Sequence, residues 1–396
     1  MDRQGSAACA LALTVRILTL STLFPAANRP NFGIFVERQT SALAALPDFD
    51  VTVINPVGIA PWPLAQKDLL ALPTHEEWRG LNVYRPRFIA IPRIGGRWNP
   101  AMIARSILPL ATRLHAERPF DLIDAEFFYP DGPAAMRISD ALGIPFTMKA
   151  RGADIHHWPH VGGCGEQIYA AAATAAGMLA VSGALKADMI TLGMDAGKIR
   201  VHYTGLDKTR FRPRERVAEK AKLGIDGALI LCVGALIPRK RQELLIEALP
   251  QLPGATLILA GQGPSEGDYH ALASRIGVAD RVRFIGSVAH DELPALYAAA
   301  DVMALVSDSE GLANAWVEAL ACGTPIVASK VGGAGELVQS ADAGRLVERK
   351  LNDVVAAIKD LLANPIPQDR VANQVAHFSW DENARSLAAF FREIAG

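Results

Sequence analysis

Along this chain, short unbroken apolar runs alternate with longer stretches in which hydrophobic positions recur at helical spacing. A short run rich in Val, Ile and Leu reads as a strand buried on both faces, and recurrence at roughly 3.6 residues reads as an amphipathic helix. In the first half the strand-like runs are Val15–Ser21, Val51–Asn55, Val83–Arg87, Leu122–Glu126, Phe146–Lys149, Gly177–Val181 and Ile199–Tyr203. Helical spacing appears at Phe35–Leu46, Pro100–Glu117, Gly132–Ala141, Glu166–Ala176 and Gly183–Leu192. Strands that alternate with helices predict βαβ units and a parallel sheet.

The second half repeats this architecture without repeating the sequence. Its strands are expected at Leu229–Gly234, Thr256–Ala260, Val282–Ile285, Val302–Val306, Pro325–Ala328 and Arg345–Val347. Helices are expected at Arg241–Leu249, Tyr269–Ile276, Glu292–Ala299, Ala315–Cys322 and Asp353–Leu362. The predicted fold class is therefore α/β, with two Rossmann-like, doubly wound domains facing a cleft. Residues 15–205 form the first domain, 206–377 the second, and 378–396 a helix that crosses back to the first. The linker is expected from Gly205 to about Gly227, where Arg and Lys are dense and Phe211-Arg212-Pro213 breaks regularity.

Composition narrows the class. Half of the 396 residues are hydrophobic, enough for two buried cores. Lys plus Arg is 40 and Asp plus Glu is 41, a balance that argues against a nucleic-acid partner. Four scattered Cys without CxxC spacing read as reduced thiols. No apolar run reaches the roughly 18 residues that span a membrane. The run Ser6–Val15 resembles a short signal-peptide core, but Arg16 interrupts it and Val15–Ser21 makes a natural first strand. Residues 1–14 are expected to be a disordered extension of a cytoplasmic protein.

The richest chemistry lies in Ser309-Glu310-Gly311-Leu312-Ala313-Asn314-Ala315-Trp316-Val317-Glu318, between two strands. Asn314 reads as the N-cap of a helix that Gly323 and Pro325 terminate. Glu310 then lies in a loop at the carboxyl end of a strand, and Glu318 one turn inside the helix. A helix start suits a phosphate, and carboxylates accept hydrogen bonds from sugar hydroxyls. Gly311, Leu312, Ala313 and Asn314 form the loop between them.

In order and spacing, Val233-Gly234 to Lys240, Gly261-Gln262-Gly263, Arg283-Phe284-Ile285-Gly286, Glu310 with Glu318, and Val331-Gly332-Gly333 resemble the retaining glycosyltransferases of family 4, which have the two-domain B-type fold (GT-B). Leu18–Pro25 and Asn31–Gln39 are similar to the branch that includes teichuronic-acid biosynthesis glycosyltransferases. The resemblance implies a C-terminal domain that binds a nucleotide-activated sugar and an N-terminal domain that binds the acceptor. It implies that Glu310 holds donor-sugar hydroxyls and Glu318 the ribose, with Gly234, Gly263 and Ile285 beside the donor. It puts Lys240 on the family's lysine position. With Arg239, Lys240 would stabilise the departing diphosphate electrostatically. Where the family often has Arg after the strand glycine, this chain has Ala235.

On the acceptor side, Gly33 is expected to let backbone approach a ligand closely. Many relatives carry His where this chain has Glu126. Glu126 is open to three readings: accepting the acceptor's proton, bonding the donor sugar, or pairing with Arg151. Arg151-Gly152-Ala153-Asp154 matches an RGxD-like loop of the family, Arg151 reading as a phosphate ligand and Asp154 as a hydroxyl ligand. His156, His157, His160 and Cys164 match no tetrahedral zinc spacing, so no metal is expected. From Arg79 to Arg118 there are eight Arg and one acid, Glu117. That face is expected to be solvated or to rest on an anionic membrane surface on the inner side of the membrane.

The expected function is transfer of a sugar from a nucleoside diphosphate donor, UDP- or GDP-linked, to a hydroxyl of a polysaccharide or lipid-linked oligosaccharide in cell-envelope or exopolysaccharide synthesis. No cofactor beyond the nucleotide sugar is implied. A nucleotide-sugar 2-epimerase shares the fold, and a periplasmic sugar-binding protein also pairs two such domains. A dinucleotide dehydrogenase is disfavoured, since no G-x-G-x-x-G follows a first strand.

Overall fold

The computed structural model describes residues 14–61, 66–91 and 96–396. The first 13 residues of the expected extension, and Arg93 of the basic run, lie outside them. Strands are numbered in chain order. The first half contributes Val15–Leu20 (β1), Phe49–Ile54 (β2), Val57–Ile59 (β3), His75–Trp78 (β4), Leu81–Tyr84 (β5), Arg87–Ile89 (β6), Leu122–Ala125 (β7), Phe146–Ala150 (β8), Gly177–Ala180 (β9) and Ile199–Val201 (β10). Eight of these pair in the order β10-β9-β8-β7-β1-β2-β5-β4, while β3 and β6 form a small separate ribbon. Every pairing in the larger sheet is parallel except β4 with β5.

The second half contributes Leu229–Val233 (β11), Thr256–Ala260 (β12), Val282–Gly286 (β13), Val302–Leu305 (β14), Ile326–Ser329 (β15) and Gly344–Val347 (β16). They pair in parallel in the order β13-β12-β11-β14-β15-β16. In an open parallel sheet, strand order reverses where consecutive crossovers go to opposite sides, and a crevice opens at the carboxyl ends there. That point falls between β11 and β14 in the second sheet and between β1 and β7 in the first. The loops after these four strands carry Lys240, Glu310, Gly33 and Glu126.

Where the strand reading fails, buried polar chemistry explains it. The expected strand Val83–Arg87 stops at Tyr84, because Arg85 turns fully inward to Glu76, Asn55 and the Pro25 carbonyl. A helix, Arg216–Lys222, occupies part of the expected linker. Lys220 Nζ anchors it 2.8 Å from Asp301. The last helix, Trp380–Ala395, starts at a Ser379 cap. Its Leu387, Ala388, Phe390 and Phe391 pack with Ile17, Leu43, Phe49, Leu122 and Leu179, so it closes the apolar underside of the first sheet.

Candidate active site

Three segments of the second half converge at its switch point. After β11 the chain runs through Gly234 to a short turn, Pro238–Lys240, and Arg241 adopts a left-handed conformation at φ 55° before the next helix. This directs Lys240 inward: its Nζ lies 2.5 Å from Glu310 Oε1. Arg239 points further out, bonded to the Ser309 carbonyl and 3.6 Å from Glu310. The Arg239 carbonyl in turn accepts from Asp308 N at 2.8 Å, which ties the cation turn to the carboxylate loop.

The helix after that loop spans Asn314–Ala321, so Asn314 is its first residue and Ala313 sits at the cap position. No side chain caps it. This corrects the expected Asn314 cap, and it leaves first-turn amides at Asn314 and Ala315, residues that line the crevice, without an intrahelical partner. Glu318 lies one turn in: Oε2 accepts from the Tyr297 hydroxyl at 3.0 Å, and Oε1 lies 3.1 Å from His290 Nε2. Burial and the Glu318 charge push the Tyr297 hydroxyl well above its usual pKa, so it stays a donor.

A cavity of about 340 Å³ joins these groups across the two halves. Arg151, Ile34 and Phe35 face it from the first half; Gly234, Lys240, Glu310, Leu312, Ala313, Asn314 and Glu318 face it from the second. The halves touch tightly beside it. A Cβ on Gly311 would stand 2.4 Å from the Arg151 carbonyl. Ser182 Oγ donates to the Gly311 carbonyl at 3.1 Å, and Glu336 accepts from Gly183 N and Ala184 N at 3.0 Å each and from Tyr203 at 2.7 Å.

Several expected site residues stand elsewhere. Gly33 does not line the cavity, although Ile34 and Phe35 do. At φ 71°, the place of its missing Cβ is filled by the Leu23 backbone at 2.4 Å, so the glycine folds its loop onto itself. Gly263 likewise makes room for the Leu236 carbonyl at 2.2 Å. Ile285 is exposed and outside the cavity. Asp154 is fully buried, accepting from the amides of Arg151, Gly152 and Phe128, so it shapes the loop and touches no ligand space.

Glu126 is also fully buried, which removes it from the cleft wall where the proton-accepting and sugar-bonding readings put it. Gln39 and Arg151 both donate to its carboxylate, and Arg151 Nε donates to its carbonyl at 3.0 Å. The guanidinium lies over the Phe35 ring, 4.6 Å from its centroid. Glu126 thus acts on the cavity through Arg151. Behind it lies a network that the residue pattern did not reveal: Lys149 donates to Gln39 and lies 2.6 Å from His202 Nδ1, and His202 Nε2 donates to the Asn383 carbonyl at 2.9 Å. Burial lowers the Lys149 pKa to about 7 and pushes Asp124 up. A lysine inside the fully buried strand Phe146–Ala150 was the available signal.

Of the histidines beside Trp158, His156 pairs with Asp188 at 2.9 Å, His157 lies edge-on to Trp158, and His160 is exposed. With two doubly wound sheets and a charged cleft in place, similarity becomes decisive. The Glycosyltransferase Family 4 profile matches residues 33–210, and the Glycosyl transferases group 1 profile matches residues 214–378. The chain belongs to glycosyltransferase family 4.

Within this family the chain is 38% identical over 212 residues to the GDP-mannose-dependent alpha-(1-6)-phosphatidylinositol monomannoside mannosyltransferase of Mycobacterium tuberculosis, covering 48% of this chain and 54% of that one. It is 34% identical over 219 residues to a D-inositol 3-phosphate glycosyltransferase of Mycobacterium bovis, covering 52% and 45%. The matches thus span about half the length of these curated relatives. The whole GT-B fold matches solved structures: sucrose-phosphate synthase of Thermosynechococcus elongatus (TM-score 0.81, 22% identity, 96% and 98% of the chains) and Anabaena HepE in complex with UDP-glucose (TM-score 0.73, 24%, 96% and 99%). At these identities the likeness is one of fold.

Proposed function

We propose that this chain is a retaining glycosyltransferase that moves a sugar from a nucleoside diphosphate donor to a hydroxyl of a saccharide or lipid-linked acceptor. The observation that carries this reading is the meeting of Lys240, Glu310, Glu318 and an uncapped helix start in one cavity. The diphosphate would lie at the Asn314–Ala315 amides, where helix dipole and free N–H groups favour an anion. Lys240 would turn from Glu310 to the phosphate, freeing Glu310 to accept hydrogen bonds from the sugar. Glu318, on the far side of the helix start, would take the ribose hydroxyls.

In the reaction, the bond from the sugar's anomeric carbon to the phosphate oxygen breaks and a bond to the acceptor oxygen forms on the same face. The acceptor's proton passes to the departing phosphate. No protein nucleophile is needed; the protein supplies positioning and preorganised charge. Arg151, braced by Glu126, adds a cation on the first-half wall.

Both nucleotide bases remain in play, since one relative is named for GDP-mannose and HepE holds UDP-glucose. The acceptor reading extends to a membrane surface. Leu70, Ile89 and Trp98 are exposed on the first half, and Arg97 lies 4.3 Å over the Trp98 ring. Among the described residues no helix is long and apolar enough to cross a membrane, so contact there would be peripheral. The test is nucleoside diphosphate release from UDP- and GDP-sugars with and without saccharide and lipid-linked acceptors. Acceptor-dependent release supports transfer, and turnover without acceptor supports epimerisation.

A further inference from the structure

We propose that His290 is a positioning residue for the donor: it fixes the carboxylate of Glu318 and thereby sets nucleotide affinity. The proposal rests on the reading of Glu318 as the ribose ligand. A carboxylate one turn inside a helix has free rotation unless held, and a ribose clamp needs its oxygens in one place. Glu318 is held at both oxygens, by Tyr297 at 3.0 Å and His290 at 3.1 Å. Tyr297 sits in a helix, Leu293–Ala299, and is fully buried. His290 comes from the loop between β13 and that helix.

That loop is itself anchored. Asn31 of the first half donates to the Val288 carbonyl at 3.1 Å, and Arg210 pairs with Asp291. The His290 ring packs edge-on to Phe211, with centroids 5.2 Å apart. Its Nδ1 is buried without a hydrogen-bond partner. A proton on Nδ1 would be unsatisfied, so the fitting tautomer carries its proton on Nε2, aimed at Glu318. His290 and Glu318 also share a second, narrower lobe of the cleft with Asn314 and Arg38. The imidazole can therefore orient the carboxylate from behind while the first-turn amides remain open to the diphosphate.

The test is calorimetric binding of UDP, GDP and ADP to the full chain and four variants. His290→Phe keeps ring packing on Phe211 and removes the donor; it is expected to weaken the preferred nucleotide about tenfold, the scale of one hydrogen bond to a charged group. His290→Gln, whose amide reaches where Nε2 does, is expected to stay within about threefold of wild type. Adding His290→Phe to Glu318→Ala is expected to cost almost nothing further, because the contact is already gone. Should His290→Phe fail to fold, His290→Asn, whose shorter amide stops short of Glu318, carries the same expectation. Unchanged affinity in the donor-less variant, or a full additional loss in the Glu318→Ala background, overturns the proposal while leaving the donor site standing. A folded wild type that binds none of the three nucleotides overturns both.

Discussion

Lys240 and Glu310 form an ion pair of 2.5 Å across the switch point of the second sheet, from loops 70 positions apart. Each carries the charge that the other end of a sugar diphosphate needs: the cation for phosphate, the carboxylate for hydroxyls. A donor that enters between them exchanges one internal contact for two to ligand. Lys240→Met is expected to lower turnover by about 10²–10³-fold, the scale seen when one preorganised transition-state contact is lost. Steady-state kinetics with saturating acceptor measures it, and a loss below about tenfold would assign the phosphate to Arg239 and the helix amides instead.

Glu126 braces Arg151 and does not reach the cavity. Glu126→Gln keeps an oxygen for the guanidinium, so turnover is expected to fall less than about tenfold. Glu126→Ala leaves the partly buried Arg151 guanidinium unpaired and is expected to cost about 3 kcal/mol of stability in urea unfolding. A Gln variant that folds normally yet loses well over tenfold in turnover would return Glu126 to the chemistry.

Asp131 predicts a pH dependence. Its Oδ2 accepts from Thr22 N at 2.9 Å, Oδ1 has no partner, and burial pushes its carboxyl up to about 7. The folded state therefore holds a proton that the unfolded chain releases near pH 4. The corresponding stability is complete below the unfolded value and is lost as pH rises through about 7. Asp131→Asn removes this loss. Its melting temperature relative to wild type is expected to climb between pH 4 and 8; a constant difference would contradict the shift.

Glu336 fastens one half to the other by accepting three hydrogen bonds, from Gly183 N, Ala184 N and Tyr203. Glu336→Ala is expected to loosen the closed arrangement, seen by small-angle scattering as a larger radius of gyration than wild type without ligand. Equal radii would mean that the remaining contacts between the halves, among them Ser182 with Gly311 and Asn31 with Val288, suffice without it.

Legibility followed sequence distance. The βαβ alternation was plain because a buried parallel strand must be apolar throughout, and Glu310 and Glu318 were plain because their spacing lies within one loop and one helical turn. The strand that ended early at Tyr84, the Glu126–Gln39 contact across 87 positions and the Glu336 clamp across 153 were not. In each, a charged side chain is explained by a partner that only tertiary packing supplies. Gly33 and Asp154 mislead for a related reason: a glycine or carboxylate that shapes a loop has the same local pattern as one that touches a ligand.

On the proposed reading, one cavity binds a nucleoside diphosphate sugar through Lys240, Glu310 and Glu318. Titration calorimetry of the full chain with UDP- and GDP-sugars decides it. The expected result is saturable one-to-one binding of at least one donor, weakened at least about tenfold by Lys240→Met and by Glu318→Gln. No binding to the folded protein, or binding that neither substitution alters, would contradict it.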